Sequence, residues 1–165
     1  ERWRELALGL LERGVGVVVV GRDVPNLAGT EENIPKGVFD LEIGHERFLD
    51  LTGRTSLHEL CEVIAASDVA VTFDSGVLHV ANCTETPVVA LFSDNDPDFF
   101  TRIRDGKPGA GTVAVHRPCP KQFCQTWHGA WSDCIQEGDR RMCCLPAVKQ
   151  VLDAAVTFLR DTPQS

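Results

Sequence analysis

The segment from Asp74 to His79 combines residue types that could hold an anion at the start of a helix. Gly76 lets a ligand approach the backbone closely, and the N–H groups of a first helical turn favour negative charge. Ser75 adds a hydroxyl, His79 follows about one helical turn later, and the Asp74 carboxylate can accept hydrogen bonds from sugar or ribose hydroxyls. The segment predicts a cradle for a diphosphate, although the same residues also fit a simple helix cap followed by a packed histidine.

A second polar segment, residues 52–56, lies between a strand candidate and a predicted helix. Arg54 is suited to a phosphate, and exposed backbone at Thr55 and Ser56 could contact the edge of a nucleobase. However, Ser56 and Glu59 also form the capping-box pattern, in which the two residues exchange hydrogen bonds at a helix start. A ligand contact and a plain connecting turn therefore both stay open for this segment.

Both segments depend on the elements around them, which alternate between apolar strands and amphipathic helices. The predicted strands cover residues 15–20, 48–51, 69–73, 87–92 and 112–115. The predicted helices begin near residues 3, 56, 75 and 148. This alternation predicts an α/β fold, a Rossmann-like doubly wound parallel sheet whose apolar strands are buried on both faces. Because ligands of such sheets bind beyond the carboxyl ends of the strands, both polar segments are well placed for binding.

The bulk composition limits the function classes. The chain has 165 residues, of which 43% are hydrophobic, and this fits one domain over residues 1–165 with a substantial core. The formal net charge of −8 argues against a general nucleic-acid surface, which needs clustered Lys and Arg, but leaves room for a small basic pocket. No apolar run approaches the length of a membrane span, and no secretory signal is visible.

The cysteines concentrate in a segment at about residues 117–144, which departs from the strand–helix alternation. Four of them have a spacing that could hold a structural zinc ion: Cys119, Cys124, Cys134 and Cys143. No close pair with two intervening residues is present, which weakens the zinc hypothesis. A disulfide is the second alternative and unligated thiols are the third, and the absence of a close pair favours the unligated thiols.

Taken in order, these segments resemble one family. The stretches are Asp-Leu-Thr-Gly-Arg-Thr-Ser-Leu at residues 50–57, Asp-Ser-Gly-Val-Leu-His at residues 74–79, Thr-Pro-Val-Val-Ala-Leu-Phe at residues 86–92 and Asp-Pro at residues 96–97. The series is similar to the C-terminal domain of the ADP-heptose:lipopolysaccharide heptosyltransferases, glycosyltransferase family 9. That family has D-x-T-G-[KR]-T-S-L, then N-D-S-G-x-x-H, then T-P-x-V-A-L-F-G. The match covers roughly residues 1–97 and, loosely, the Cys-containing tail.

The resemblance implies a GT-B architecture, in which two Rossmann-like domains face each other and the C-terminal domain holds the nucleotide sugar. The positions that match the family's diphosphate- and sugar-binding residues are Asp74, Ser75, Gly76 and His79. The positions that match its base-binding stretch are Thr55 and Ser56. Asp23 is the nearest candidate for the family's ribose-binding acid, but its loop has no clear match.

The function implied is donor binding in an inverting transfer of a sugar, heptose in this family, from a nucleotide-diphosphate donor such as ADP-heptose. The acceptor would be a glycan or a lipopolysaccharide-type molecule, bound through an N-terminal domain that also carries the catalytic Asp. We therefore expect this chain alone to be inactive. The resemblance implies no catalytic metal and no nucleic-acid partner. It also implies a cytoplasmic location with peripheral contact at the inner membrane.

Two departures from the family pattern support alternatives. Phe73 stands where the family has Asn or another small residue, and Ser93-Asp94-Asn95 replaces Gly-Pro-Thr. A non-catalytic GT-B-like binding or scaffold domain that has lost the donor site is therefore the main alternative. An epimerase-like GT-B protein is a third hypothesis, against which the stretch at residues 50–60 argues.

Overall fold

The structure, a computed structural model, describes residues 2–21, 41–92, 95–101, 103–104, 107–108, 111–116 and 146–161. The contacts divide the chain into two compact units, Glu1–Leu60 and Cys61–Ser165. The single domain expected over residues 1–165 stays a prediction.

The first unit contains helix α1 (Arg2–Leu11), strands β1 (Val17–Val19) and β2 (Phe48–Asp50), and the start of helix α2 (Leu57–Ala65). Helix α1 buries the apolar face that its sequence spacing predicts. It ends before Gly14, whose positive φ of 78° is a conformation that glycine adopts at low cost.

Strands β1 and β2 pair in parallel, with Val17 opposite Phe48. The predicted burial of β1 on both faces was wrong, because the Val18 side chain is 45% exposed. Its partner in the ladder, Leu49, is 51% exposed. The two apolar side chains therefore lie on one exposed face of the β1–β2 ladder.

The second unit contains strands β3 (Ala70–Phe73), β4 (Val88–Leu91), β5 (Ile103–Arg104), β6 (Lys107–Pro108) and β7 (Thr112–Val115). Its helices, besides the end of α2, are α3 (Gly76–Asn82), α4 (Pro97–Phe100) and α5 (Val148–Asp161). Strands β3, β4 and β7 form a parallel sheet in that order, and β5 pairs with β6 in antiparallel fashion. The parallel ladders confirm the predicted α/β class, whereas α4 and the β5–β6 pair were not predicted.

Strand β4 is the centre of the second unit. All four of its residues are buried, and helices α3 and α5 both contact it. Helix α3 contributes Leu78 and Ala81, which are fully buried, and α5 contributes the buried Val151 and Ala155. Since successive strand residues point to opposite faces of a sheet, complete burial of β4 requires cover on both faces.

A buried hydrogen bond joins the end of α2 to the residue pair that precedes β4. The hydroxyl of Thr86, whose residue is 4% exposed, donates to the carbonyl oxygen of Ile64 at 2.7 Å. Ile64 is itself buried and lies in the last turn of α2. This bond therefore fixes where the chain enters β4.

The start of α2 is a reciprocal capping box, as its sequence predicts. The Ser56 N–H and hydroxyl both donate to Oε2 of Glu59 at 2.7 Å, and the Glu59 N–H donates to the Ser56 hydroxyl at 3.3 Å. The backbone bond from Ser56, followed by the hydroxyl bond, lowers the pKa of Glu59 from its ordinary value of 4.5.

Among the helices that the structure describes, none has the length and apolar character that crossing a membrane requires.

The Thr86 bond predicts a measurable loss of stability. Replacing Thr86 with Val keeps the shape of the side chain but removes the hydroxyl, so we expect the free energy of unfolding to fall by about 1 kcal/mol in urea denaturation. The matched control is Thr157→Val, which removes an exposed hydroxyl bonded to the Asp153 carbonyl oxygen on α5. The control should change stability by less than about 0.5 kcal/mol, and an equal loss in both variants would contradict the assignment.

The capping box predicts a pH dependence. Because the folded-state pKa of Glu59 lies below its unfolded value, its stabilisation is present above pH 4.5 and is lost as pH falls through the folded pKa. Glu59→Gln should therefore be less stable than the wild type at neutral pH, and the difference should shrink in acid. Thermal unfolding across this range measures it, with Glu12→Gln, at the end of α1, as the control. A difference that stays constant with pH would refute the prediction.

Candidate functional site

The Asp74–Gly76 segment lies where the sequence places it, at the carboxyl end of β3. The Asp74 N–H donates to the Leu91 carbonyl oxygen at 3.1 Å, so the β3–β4 ladder continues one residue beyond β3. Ser75 is the N-cap residue of α3, with an extended backbone at φ −156° and ψ 178°. Its carbonyl oxygen accepts the N–H of Leu78 at 3.0 Å, which begins the helix.

The side chains before α3 are not used to cap it. The Ser75 hydroxyl makes no cap hydrogen bond. The Asp74 carboxylate accepts a hydrogen bond from Asn95 instead, with 2.7 Å between Nδ2 and Oδ2. The interpretation of this segment as a plain side-chain cap was therefore wrong, and its first N–H groups point out of the helix end without that cap.

Helix α3 presents one exposed stripe and one buried stripe. Ser75, Gly76 and His79 are exposed, and since residues three and four apart share a helix face, they lie together. The alternative in which His79 is a packed core residue was wrong. A Cβ built on Gly76 would meet nothing within 4 Å, and its φ lies outside the positive range, so the fold does not require glycine here.

The Thr52–Ser56 segment lies at the carboxyl end of β2, in the first unit. The Thr52 N–H donates to Oδ1 of Asp50 at 2.8 Å, and the Gly53 N–H donates to the Gly21 carbonyl oxygen at 2.8 Å. Gly53 has a φ of 70°, so the turn needs a residue that tolerates the left-handed region. Arg54 is exposed beside this turn.

The two candidate base-contacting residues, Thr55 and Ser56, differ in burial and in hydrogen bonding. The N–H of Ser56 is committed to Glu59 in the capping box, so a base could reach it only by displacing that carboxylate. Thr55 is half-buried and precedes the cap. Their ligand contacts stay a prediction for the first unit alone, because Asp74 belongs to the second unit.

Several predicted residues lie outside the described part of the chain. They are Asp23, Cys119, Cys124, Cys134 and Cys143. The ribose contact and the zinc hypothesis therefore stay predictions. The described residues include two free thiols, at Cys61 and Cys83, and hold no group of three or more His, Cys, Asp or Glu side chains that could bind a metal ion.

A surface depression of about 490 Å³ was not expected from the sequence. Its lining residues belong to the second unit: Cys61, Glu62, Ala65, Cys83, Thr84 and Glu85. None of the predicted donor-binding residues is among them. The two carboxylates in its wall disfavour a diphosphate, so the depression does not compete with the Asp74–His79 segment as an anion site.

Asn95 is the residue near the candidate site that sequence reasoning missed. It follows β4, which neighbours β3 in the parallel sheet, and it reaches Asp74 across that edge. The sequence signal was its position after an apolar strand, because the loops that follow neighbouring parallel strands share one edge of the sheet.

Comparison with known proteins gives a consistent result. Residues 1–128 match the family model of glycosyltransferase family 9 (heptosyltransferase). A curated relative, lipopolysaccharide heptosyltransferase 2 of Salmonella typhimurium, is 36% identical over 97 residues, which cover 59% of this chain and 27% of the relative. The chain thus spans about a quarter of the length of that relative.

Two solved structures share the fold. The ADP-heptose lipopolysaccharide heptosyltransferase II of E. coli superposes with a TM-score of 0.61 at 22% identity, covering 96% of this chain and 40% of that one. A glycosyltransferase family 9 protein of Veillonella parvula gives 0.64 at 18% identity, covering 98% and 41%. These likenesses confirm the Rossmann-like fold of a GT-B half. With the family match over residues 1–128, they show that this chain belongs to glycosyltransferase family 9, the heptosyltransferases.

Proposed function

We propose that this chain is the donor-binding domain of an inverting glycosyltransferase that transfers heptose from a nucleotide-diphosphate donor to a lipopolysaccharide-type acceptor. The observation that carries the proposal is that the Asp74–His79 segment has exposed polar groups that do not cap α3. The segment lies inside the family match and at the carboxyl end of β3. The Ser75 side chain makes no hydrogen bond that caps α3. The relatives' names supply heptose and lipopolysaccharide, and ADP as the nucleotide is carried over from the family resemblance.

In this proposal each residue has a separate task. The N–H groups that open α3 and the Ser75 hydroxyl would donate hydrogen bonds to diphosphate oxygens. Gly76 would leave room for those oxygens to approach the backbone. The Asp74 carboxylate would accept hydrogen bonds from sugar hydroxyls. Taken by itself, the first unit would offer Thr55 and Ser56 to a base, and for the Ser56 N–H this requires displacing the Glu59 carboxylate.

The proposed chemistry needs charge stabilisation from this chain. As the sugar is transferred, the departing diphosphate gains negative charge, which the start of α3 and the exposed His79 side chain would stabilise. A group on the acceptor side would deprotonate the acceptor hydroxyl. We assign the stabilising role to protein groups rather than to a metal ion. A cytoplasmic location with peripheral membrane contact belongs to the same proposal.

Titration calorimetry with ADP, UDP and GDP tests the proposal directly. The donor-binding hypothesis predicts that ADP binds with a Kd below the millimolar range, and that UDP and GDP bind more weakly. Ser75→Trp should abolish that binding, because the indole would fill the space next to the α3 start. Failure of all three nucleotides to bind would refute the donor site and favour the non-catalytic scaffold alternative.

Gly76→Ala separates a functional glycine from a structural one. The added methyl group meets nothing within 4 Å, so folding stability should stay the same or rise by up to about 1 kcal/mol. The affinity for ADP should nevertheless fall about tenfold, since the methyl group occupies the space of a ligand oxygen. The matched control is Gly44→Ala, where a Cβ also meets nothing: its stability should shift by a similarly small amount, and its ADP affinity should not change. Unchanged ADP affinity in Gly76→Ala would contradict the assigned role.

A further inference from the structure

The Asp74 carboxylate is held by a residue that follows the neighbouring strand. The Asn95 side-chain amide donates from Nδ2 to Oδ2 of Asp74 at 2.7 Å, and the two residues, both half-buried, are 21 positions apart in sequence. Among the described residues, this is the one hydrogen bond that the Asp74 side chain makes. It occupies Oδ2 and leaves Oδ1 without a hydrogen bond to a described residue.

The segment that carries Asn95 has its own anchors. The Asn82 side chain, at the end of α3, donates from Nδ2 to the Phe100 carbonyl oxygen at 3.0 Å. The Asp96 carboxylate caps α4 by accepting the Asp98 N–H at 3.1 Å, and Pro97 occupies the first turn of that short helix. The Asn82 bond ties the segment to α3 without involving Asp74, whereas the Asp96 cap lies within the segment.

The chemistry of the pair suits a role toward a ligand. A carboxylate that precedes a helix can turn back to accept the helix N–H groups, and that rotation would remove both of its oxygens from a ligand. The Asn95 amide prevents the rotation by occupying Oδ2. A neutral donor adds no positive charge, so Oδ1 stays a strong acceptor for a hydroxyl group.

We propose that Asn95 is a positioning residue of the donor site: it fixes Oδ2 of Asp74 so that Oδ1 accepts a hydroxyl of the nucleotide sugar. This inference rests on the proposed function, because Asn95 acts on the ligand only through Asp74. Asn95 belongs to the stretch that replaces the family's Gly-Pro-Thr. In this proposal that replacement contributes to ligand binding and does not mean that the donor site has been lost.

A double-mutant cycle on ADP-heptose binding tests the inference. Asn95→Ala should weaken binding about tenfold, and Asp74→Ala at least as much. The double variant should bind no more weakly than Asp74→Ala alone, because Asn95 has nothing left to position. Additive losses would overturn the inference, since Asn95 would then act independently of Asp74.

Asn82→Ala is the matched control for a merely structural effect. It removes the other asparagine tether of residues 95–100 without touching Asp74. Its affinity for ADP-heptose should equal that of the wild type even where its melting temperature falls. If Asn82→Ala lost as much affinity for ADP-heptose as Asn95→Ala, loosening residues 95–100 would be sufficient to weaken binding. That result would overturn the positioning role.

The pH dependence of ADP-heptose binding by Asn95→Asp is a measurement that a mere loss of structure would not change. Two facing carboxylates repel, so this variant should bind ADP-heptose weakly at about pH 8 and approach the wild type at about pH 5, where one shared proton restores the hydrogen bond. An affinity ratio to wild type that does not change with pH would contradict the inference. If the wild-type protein binds no nucleotide at all, the proposed function fails and this inference fails with it; if it binds and the cycle is additive, only the inference fails.

Discussion

The parallel pairing of β3 with β4 is the constraint on which the second unit depends. Its register places Phe73 opposite Leu91 and extends through the Asp74 N–H to the Leu91 carbonyl oxygen. A slip by one residue would move every β4 side chain to the other face, and the complete burial of β4 opposes such a slip. The same register brings the end of β3 and the end of β4 to one edge, and this is why Asp74 and Asn95 meet there.

This constraint explains which parts of the structure were predictable. Apolar runs such as residues 88–91 and the capping pattern of Ser56 with Glu59 are local signals, and both elements form where the sequence predicts them. The order of strands and helices was sufficient for the α/β class, because parallel strands need crossover connections. Helix α4 also had a local signal, an Asp followed by Pro at its start, that the element prediction overlooked.

The rest was not local. The contact between Asn95 and Asp74 depends on the sheet register and on the anchoring of residues 95–100, neither of which a window of sequence contains. The exposure of Val18 depends likewise on which elements cover β1, a property of tertiary packing. The sequence alone predicts that the Ser56 N–H bonds to Glu59. That this bond competes with a base contact is seen only from the hydrogen-bond distance in the structure.

The candidate site joins a family pattern to a local geometry. Asp-Ser-Gly at a helix start is common, and alone it fits a cap as well as a ligand. In this chain the Ser75 hydroxyl makes no cap bond, the Asp74 carboxylate is held by Asn95, and Gly76 is not required by the backbone. The Ser75 hydroxyl and the first N–H groups of α3 are thus not used in a side-chain cap, and the proposed function makes a nucleotide sugar the ligand to test.

Amide chemical shifts during a titration with ADP test this account most directly, because they report where a nucleotide binds. Donor binding at the start of α3 predicts saturable shifts at the amides of Ser75, Gly76 and Val77, while the exposed amides of α5 stay unchanged. Saturation at one common Kd would tie these residues to a single site. Absence of shifts at the start of α3, or saturable shifts confined to other parts of the chain, would contradict the donor-binding assignment.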